Sequence, residues 1–82
     1  MIEAYKARLH NEYWEVKTRY EALHRMLVKQ EAGTLDFTLN CPVDLLKEQQ
    51  YHMGMYLHCL EVRAEIEGVE LYSNTIGIKE GA

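Results

Sequence analysis

The sequence predicts an all-α fold: a two-helix antiparallel hairpin with an ordered connector and a short C-terminal arm, assembled as a homo-oligomer. Three observations carry this expectation. Apolar residues recur every three or four positions through two long stretches, the spacing of one helical face. A glycine follows each stretch, Gly33 and Gly68, as helix stops commonly do. The second stretch is apolar around more of its circumference than one partner helix covers. With 82 residues the chain makes one small domain, and a monomer of that size buries a modest share of its surface. Self-association would extend the core across chains.

The first helix is expected over about residues 2–31. Ile2, Tyr5, Leu9, Tyr13, Val16, Tyr20, Leu23 and Leu27 form its apolar stripe. Glu15/Arg19 and Glu21/Arg25 are acid-before-base pairs four apart that support the outer face; Arg8/Glu12 has the weaker order. At 1.5 Å per residue this helix is roughly 45 Å long, which argues for hairpin or coiled-coil-like packing. Lys29 in the last turn and Gly33 beyond it mark the C-terminus.

The connector, residues 32–41, contains the alternation TLDFTL. No strand partner is evident, so Leu35, Phe37 and Leu39 are expected to fold back on the helices. The second helix is expected over about 42–67. Pro42 suits the first helical position because its missing N–H has no partner there, with Cys41 or Asn40 as cap and Asp44 favouring the helix dipole. Val43, Leu46, Gln50, Met53, Leu57, Leu60 and Ala64 form one stripe. Leu45, His52, Tyr56, Cys59, Arg63 and Ile66 form a second, with Met55 and Val62 as a third edge; this surplus is the internal sign of an oligomer. Gly54 costs ~1 kcal/mol relative to alanine inside a helix, so a close contact is expected there, and Gly54→Leu is expected to disturb assembly. Residues 1–71 make the hairpin domain. Residues 72–82 form a tail or arm, in which Thr75-Ile76-Gly77-Ile78 is a strand, a packing arm or a frayed end.

Composition excludes several functions. Net charge is −4, with six basic and five acidic residues in 1–31 against three and eight in 32–82. No basic stripe favours nucleic acid. No apolar run reaches the ~18–20 residues of a membrane span, and the N-terminal residues lack the apolar core of a signal peptide. Cys41 and Cys59 fit free thiols in a reducing compartment, so the cytoplasm is the expected location. No P-loop, Rossmann or G-x-S-x-G pattern occurs, and His58 and Cys59 diverge on a helix. An enzyme, a catalytic residue and a cofactor are therefore not expected. Glu21 and His24 make one Glu-x-x-His, the spacing of di-metal bundles, but no core-stripe carboxylates complete a site, and no metal is expected.

The aromatic and basic content of the first helix is more informative. Six tyrosines and one tryptophan suit stacking on a base, and lysine or arginine suits phosphate. Tyr13 or Trp14, with Arg8, Lys17 or Arg25, would make a small-nucleotide site at an oligomer seam. Tyr13 and Tyr20 equally suit an ordinary core. Thr34 and Asp36 would close the site from the connector, or serve only capping and turn formation.

Glu12-Tyr13, Arg19-Tyr20, Leu23, KQEAGTLDF, CPVDLLKEQ, Met53 and YLHCLEVRAEIEGVEL together span residues 5–71. This pattern resembles a family of small phage and prophage helical-hairpin proteins, the crAss-phage-related hypothetical proteins. The resemblance implies a viral origin and a hairpin fold. In size, layout and expected oligomerisation the chain is also similar to the anti-CBASS and anti-Thoeris sponges, which sequester cyclic nucleotide immune signals. That similarity implies a counter-defence protein binding a small cyclic nucleotide, itself and no cofactor. The alternative is a module whose acidic helical surface inhibits a host defence protein, or a purely structural oligomer.

Overall fold

The structure, a computed structural model, describes residues 4–72. Ile2 and the expected arm at Thr75-Ile76-Gly77-Ile78 lie outside the described residues. Two helices, α1 (Ala4–Ala32) and α2 (Val43–Glu67), pack against each other as a hairpin. Their bounds match the expected ones to within two residues.

Both helices end in the same way. Gly33 and Gly68 have φ of 79° and 73°, the left-handed conformation that glycine adopts without steric cost. After α1, the Gly33 N–H donates to Gln30 O at 3.2 Å and the Thr34 N–H to Lys29 O at 2.9 Å. After α2, the Gly68 N–H donates to Glu65 O at 3.4 Å and the Val69 N–H to Ala64 O at 2.8 Å. These are Schellman closures, which satisfy carbonyls that a bare helix end leaves open.

The start of α2 differs from the expectation. Pro42, with φ −59° and ψ 139°, is itself the cap, and no side chain bonds the first turn. Neither Asn40 nor Cys41 takes that role. The Pro42 carbonyl accepts from the Leu45 and Leu46 N–H groups at 3.1 and 3.2 Å, so the proline stands one position outside the helix. Asp44 lies in the first turn, where its charge complements the helix dipole.

The two predicted core stripes meet. Leu9, Tyr13 and Val16 of α1 pack with Leu57, Leu60 and Ala64 of α2 and with Leu71, which folds back beyond Gly68. Trp14, Tyr20, Met53 and Val69 border this cluster. Burying each leucine is worth roughly 1.5–3 kcal/mol. Leu27 is buried too, toward the connector, but outside the cluster.

Gly54 faces α1. A Cβ there would lie 3.4 Å from Cε1 and 3.7 Å from the hydroxyl of Tyr20. The close contact expected at Gly54 is thus the Tyr20 ring of the same chain, and a large side chain there acts first on the hairpin. The connector departs further from expectation. Leu35 and Leu39 are half-buried, but Phe37 is 56% exposed. Two of the three apolar side chains fold back and Phe37 does not, because the connector turns through bends instead of running extended.

Away from its core stripe, α2 leaves Leu45, Met55, Val62 and Ile66 exposed, Ile66 at 78%. Met55, Cys59, Val62 and Ile66 follow a four-three-four spacing, as along a coiled-coil seam.

Candidate functional site

Adjacent positions on a helix diverge by about 100°, since 3.6 residues make a turn. That divergence separates Tyr13 from Trp14. Tyr13 points into the hairpin and is 0% exposed. Its hydroxyl donates to Glu61 Oε2 at 2.9 Å and lies 3.2 Å from the Tyr72 hydroxyl. Burial, then the bonds to Tyr72 and Glu61, push its pKa well above the usual tyrosine value. The expectation that Tyr13 stacks on a ligand is corrected here: protein covers both ring faces.

Trp14 sits on the shoulder of α1, half-buried. Its indole N–H donates to Leu71 O at 2.7 Å. Tyr13, Trp14 and Tyr72 meet edge-on, with centroids 5.1, 5.9 and 6.2 Å apart, the arrangement the ring quadrupole favours. This aromatic trio ties the chain after α2 to α1. The remainder of the Trp14 ring lines two neighbouring grooves on the outer flank of α1.

One groove, about 440 Å³, brings Trp14, Lys17 and Arg25 together with Thr18 and Glu21. A second, about 310 Å³, brings Arg25, Thr34 and Asp36 together with Met26, Lys29 and Phe37. Arg25 borders both. Of the seven expected residues, five line these grooves, while Tyr13 lies in the core. Arg8 lies apart, toward the other end of the hairpin, in a cleft with residues of α2. Thr34 also has a structural task, since its N–H completes the closure of α1 and its hydroxyl reaches toward Lys29 O at 3.5 Å.

The cations of the first groove are not bare. Glu21 lies between them, 3.4 Å from Lys17 Nζ and 4.0 Å from Arg25 Nη1. Exposed pairs of this kind are worth ~0–1 kcal/mol, so an anionic ligand can displace the carboxylate at small cost. Glu21 and His24, the metal-like spacing, are engaged separately. His24 stacks on Tyr20 with centroids 6.5 Å apart, and the Gln50 amide donates to its Nδ1 at 2.7 Å. Among the described residues, no three His, Cys, Asp or Glu side chains are grouped to hold a metal ion. Cys41 and Cys59 are exposed free thiols.

Residues that sequence reasoning placed only on stripes prove to be polar ties between the helices. The Tyr5 hydroxyl donates to Glu67 Oε1 at 2.8 Å, and the Tyr56 hydroxyl donates to Glu12 Oε2 at 2.9 Å. Both ties flank the cleft that holds Arg8, to which α2 contributes Arg63. The only sequence signal for that pairing was register: in an antiparallel hairpin, residues near the start of one helix face those near the end of the other.

The described residues thus form a two-helix hairpin with small grooves on its flanks, lined by aromatic and cationic side chains. The family model Sequestin matches residues 3–66, and the chain belongs to the Sequestin family. That name denotes sequestration and does not specify what is held. No curated protein and no solved structure matches the chain. Among the described residues, no helix is long and apolar enough to cross a membrane.

Proposed function

We propose that the chain binds a small nucleotide, cyclic forms included, and holds it intact, as a phage counter-defence protein that withdraws an immune signal in the host cytoplasm. The observation that carries this is the groove where Trp14 meets Lys17 and Arg25: an aromatic edge beside two cations suits a base and its phosphate. Membership of a family named for sequestration agrees with it. Holding needs no nucleophile, so the reading asks nothing catalytic of the residues.

The same proposal includes self-association. The exposed Met55, Val62 and Ile66 at coiled-coil spacing favour a protein contact, and a second copy of α2 supplies a matching stripe. A 25-residue helix is about 37 Å long, enough to bury roughly 600–800 Å² per chain along a copy, the lower range of stable interfaces. The alternative is an inhibitory module, in which the acidic residues of the C-terminal half would meet a basic surface on a host effector.

Native mass spectrometry of the purified protein, alone and with cyclic dinucleotides and cyclic ADP-ribose isomers, tests both parts. The expected result is an oligomer that gains the mass of one intact nucleotide at fixed stoichiometry and releases it unchanged on denaturation. Release of a hydrolysed product would point to an enzyme. A monomer that binds none of the panel would favour the protein-binding module, whose complex should weaken as salt screens its charges.

A further inference from the structure

On α1, Tyr5, Arg8 and Glu12 are three and four apart; on α2, Tyr56, Leu60 and Arg63 are four and three apart. Each trio therefore shares one helical face. The hairpin brings the two faces together around a cleft of about 380 Å³, with buried Leu9 and Leu60 beneath it. This flank of α1 is the one opposite Trp14. A few hundred Å³ is the size of a small-ligand site.

The charges of the cleft differ from those of the Trp14 groove. Lys17 and Arg25 share Glu21, and Arg19 is paired with Glu15. Among the described residues, no carboxylate lies within ion-pair distance of Arg8 or Arg63. The one acid lining the cleft, Glu12, accepts the Tyr56 hydroxyl. That bond raises the Tyr56 pKa, and the Arg63 charge opposes it, so the guanidinium is felt at the tyrosine. An anion entering here meets two cations from different helices and displaces no ion pair among the described residues.

We propose that this cleft is a second binding site, in which Arg8 and Arg63 clamp a phosphate or pyrophosphate group between the Tyr5 and Tyr56 rings. Planar guanidinium forks match phosphate oxygens in pairs. The clamp joins the two helices, so bound anion braces the hairpin. It stands whether or not the Trp14 groove holds a nucleotide.

The test is a titration of the full ¹⁵N-labelled chain with inorganic pyrophosphate at low salt, read at the arginine Nε–Hε signals. The largest shifts are expected at Arg8 and Arg63. Arg8→Gln and Arg63→Gln should each weaken pyrophosphate binding about tenfold or more, with Arg63→Lys between them and wild type. Both arginines are exposed, so circular dichroism should stay unchanged. Shifts centred on Arg25, shifts spread evenly over all four arginines, or glutamine variants that bind like wild type would each overturn the assignment. A wild-type chain that holds no nucleotide from the panel, yet seats pyrophosphate on these two arginines, would support the clamp while removing the nucleotide reading. Nucleotide held in the Trp14 groove, with pyrophosphate indifferent to both arginines, would do the reverse.

Discussion

The two ends of the hairpin are held by different means. Away from the connector, seven of the eight buried side chains among the described residues form one cluster, with Leu71 folded in and the Tyr13–Trp14–Tyr72 trio beside it. Toward the connector, among the described residues, only Leu27 is buried, Leu23, Met26 and Leu46 are half-buried, and Phe37 is exposed. At the first end, nothing covalent in residues 4–72 joins the start of α1 to the end of α2, so packing and the Tyr–Glu ties must hold them. At the second, the chain itself keeps the helices together, and the closure at Gly33 sets their turn. Sparse packing is tolerable there, and it leaves Arg25, Lys29 and Phe37 available around a groove.

The sharpest way to break this contrast is one substitution made at both ends. Leu57 is 4% exposed within the cluster. Leu57→Asp puts a carboxylate into an apolar site, at a cost of several kcal/mol. That compares with a total stability of roughly 4–12 kcal/mol for a chain of this size, so loss of the helical circular dichroism signal is expected. Leu46→Asp, on the same stripe but half-buried in the first turns of α2, should keep it, because the charge reaches water and complements the helix dipole. Equal behaviour of the two variants would remove the asymmetry.

Gly54 lies between the ends and gives a smaller effect whose sign is informative. Gly54→Ala adds a Cβ at ordinary contact distance from Tyr20 and gains up to ~1 kcal/mol of helix propensity; thermal unfolding should shift upward. Gly54→Leu must push the Tyr20 ring aside and should cost ~1–3 kcal/mol. A leucine variant as stable as wild type would mean that Tyr20 is not seated against Gly54.

Tyr13 makes the well-packed end sensitive to alkali. Its folded pKa is raised, first by burial and then by its bonds to Tyr72 and Glu61. A group raised in the folded state contributes stability that is fully present below its unfolded pKa, about 10 for tyrosine, and lost as pH climbs beyond it. Stability should therefore fall above pH ~10. Tyr13→Phe should cost ~1 kcal/mol at neutral pH for the lost bond and flatten that decline. Melting temperatures of both proteins across pH 8–11 would check it. Tyr56, raised chiefly by its bond to Glu12, leaves a residual slope in the variant.

How far the fold was legible in the sequence follows from which interactions are local. Helix periodicity and the two glycine stops depend on neighbours three or four residues away, so both helices and both core stripes were available to inspection. The cap at Pro42 was misplaced by one position because an extended ψ at a proline leaves no mark on composition. The aromatic trio was invisible, since it needs residues 69–72 to return to α1 and no repeat reports a return. The candidate site divided in the same way. Trp14, Lys17 and Arg25 share one flank by spacing alone. Tyr13 could be assigned to core or ligand only once a partner helix covered it, and Arg8 acquired Arg63 only through the register of the hairpin.

The smallest effect is expected at the loosely packed end, and it bears most directly on function. Phe37 is exposed on the rim of the connector groove, so Phe37→Ser should change stability by no more than about 0.5 kcal/mol. An exposed ring beside Arg25 and Lys29 also suits stacking on a base, which is worth on the order of 1–3 kcal/mol where it occurs. If the base rests on Trp14, one groove away, Phe37→Ser should leave nucleotide affinity within about threefold, less than the ~1.4 kcal/mol that a tenfold change represents. A loss of tenfold or more at unchanged melting temperature would move the base to the connector. Arg25, which borders both grooves, would keep its phosphate in either case, so only the aromatic partner would change.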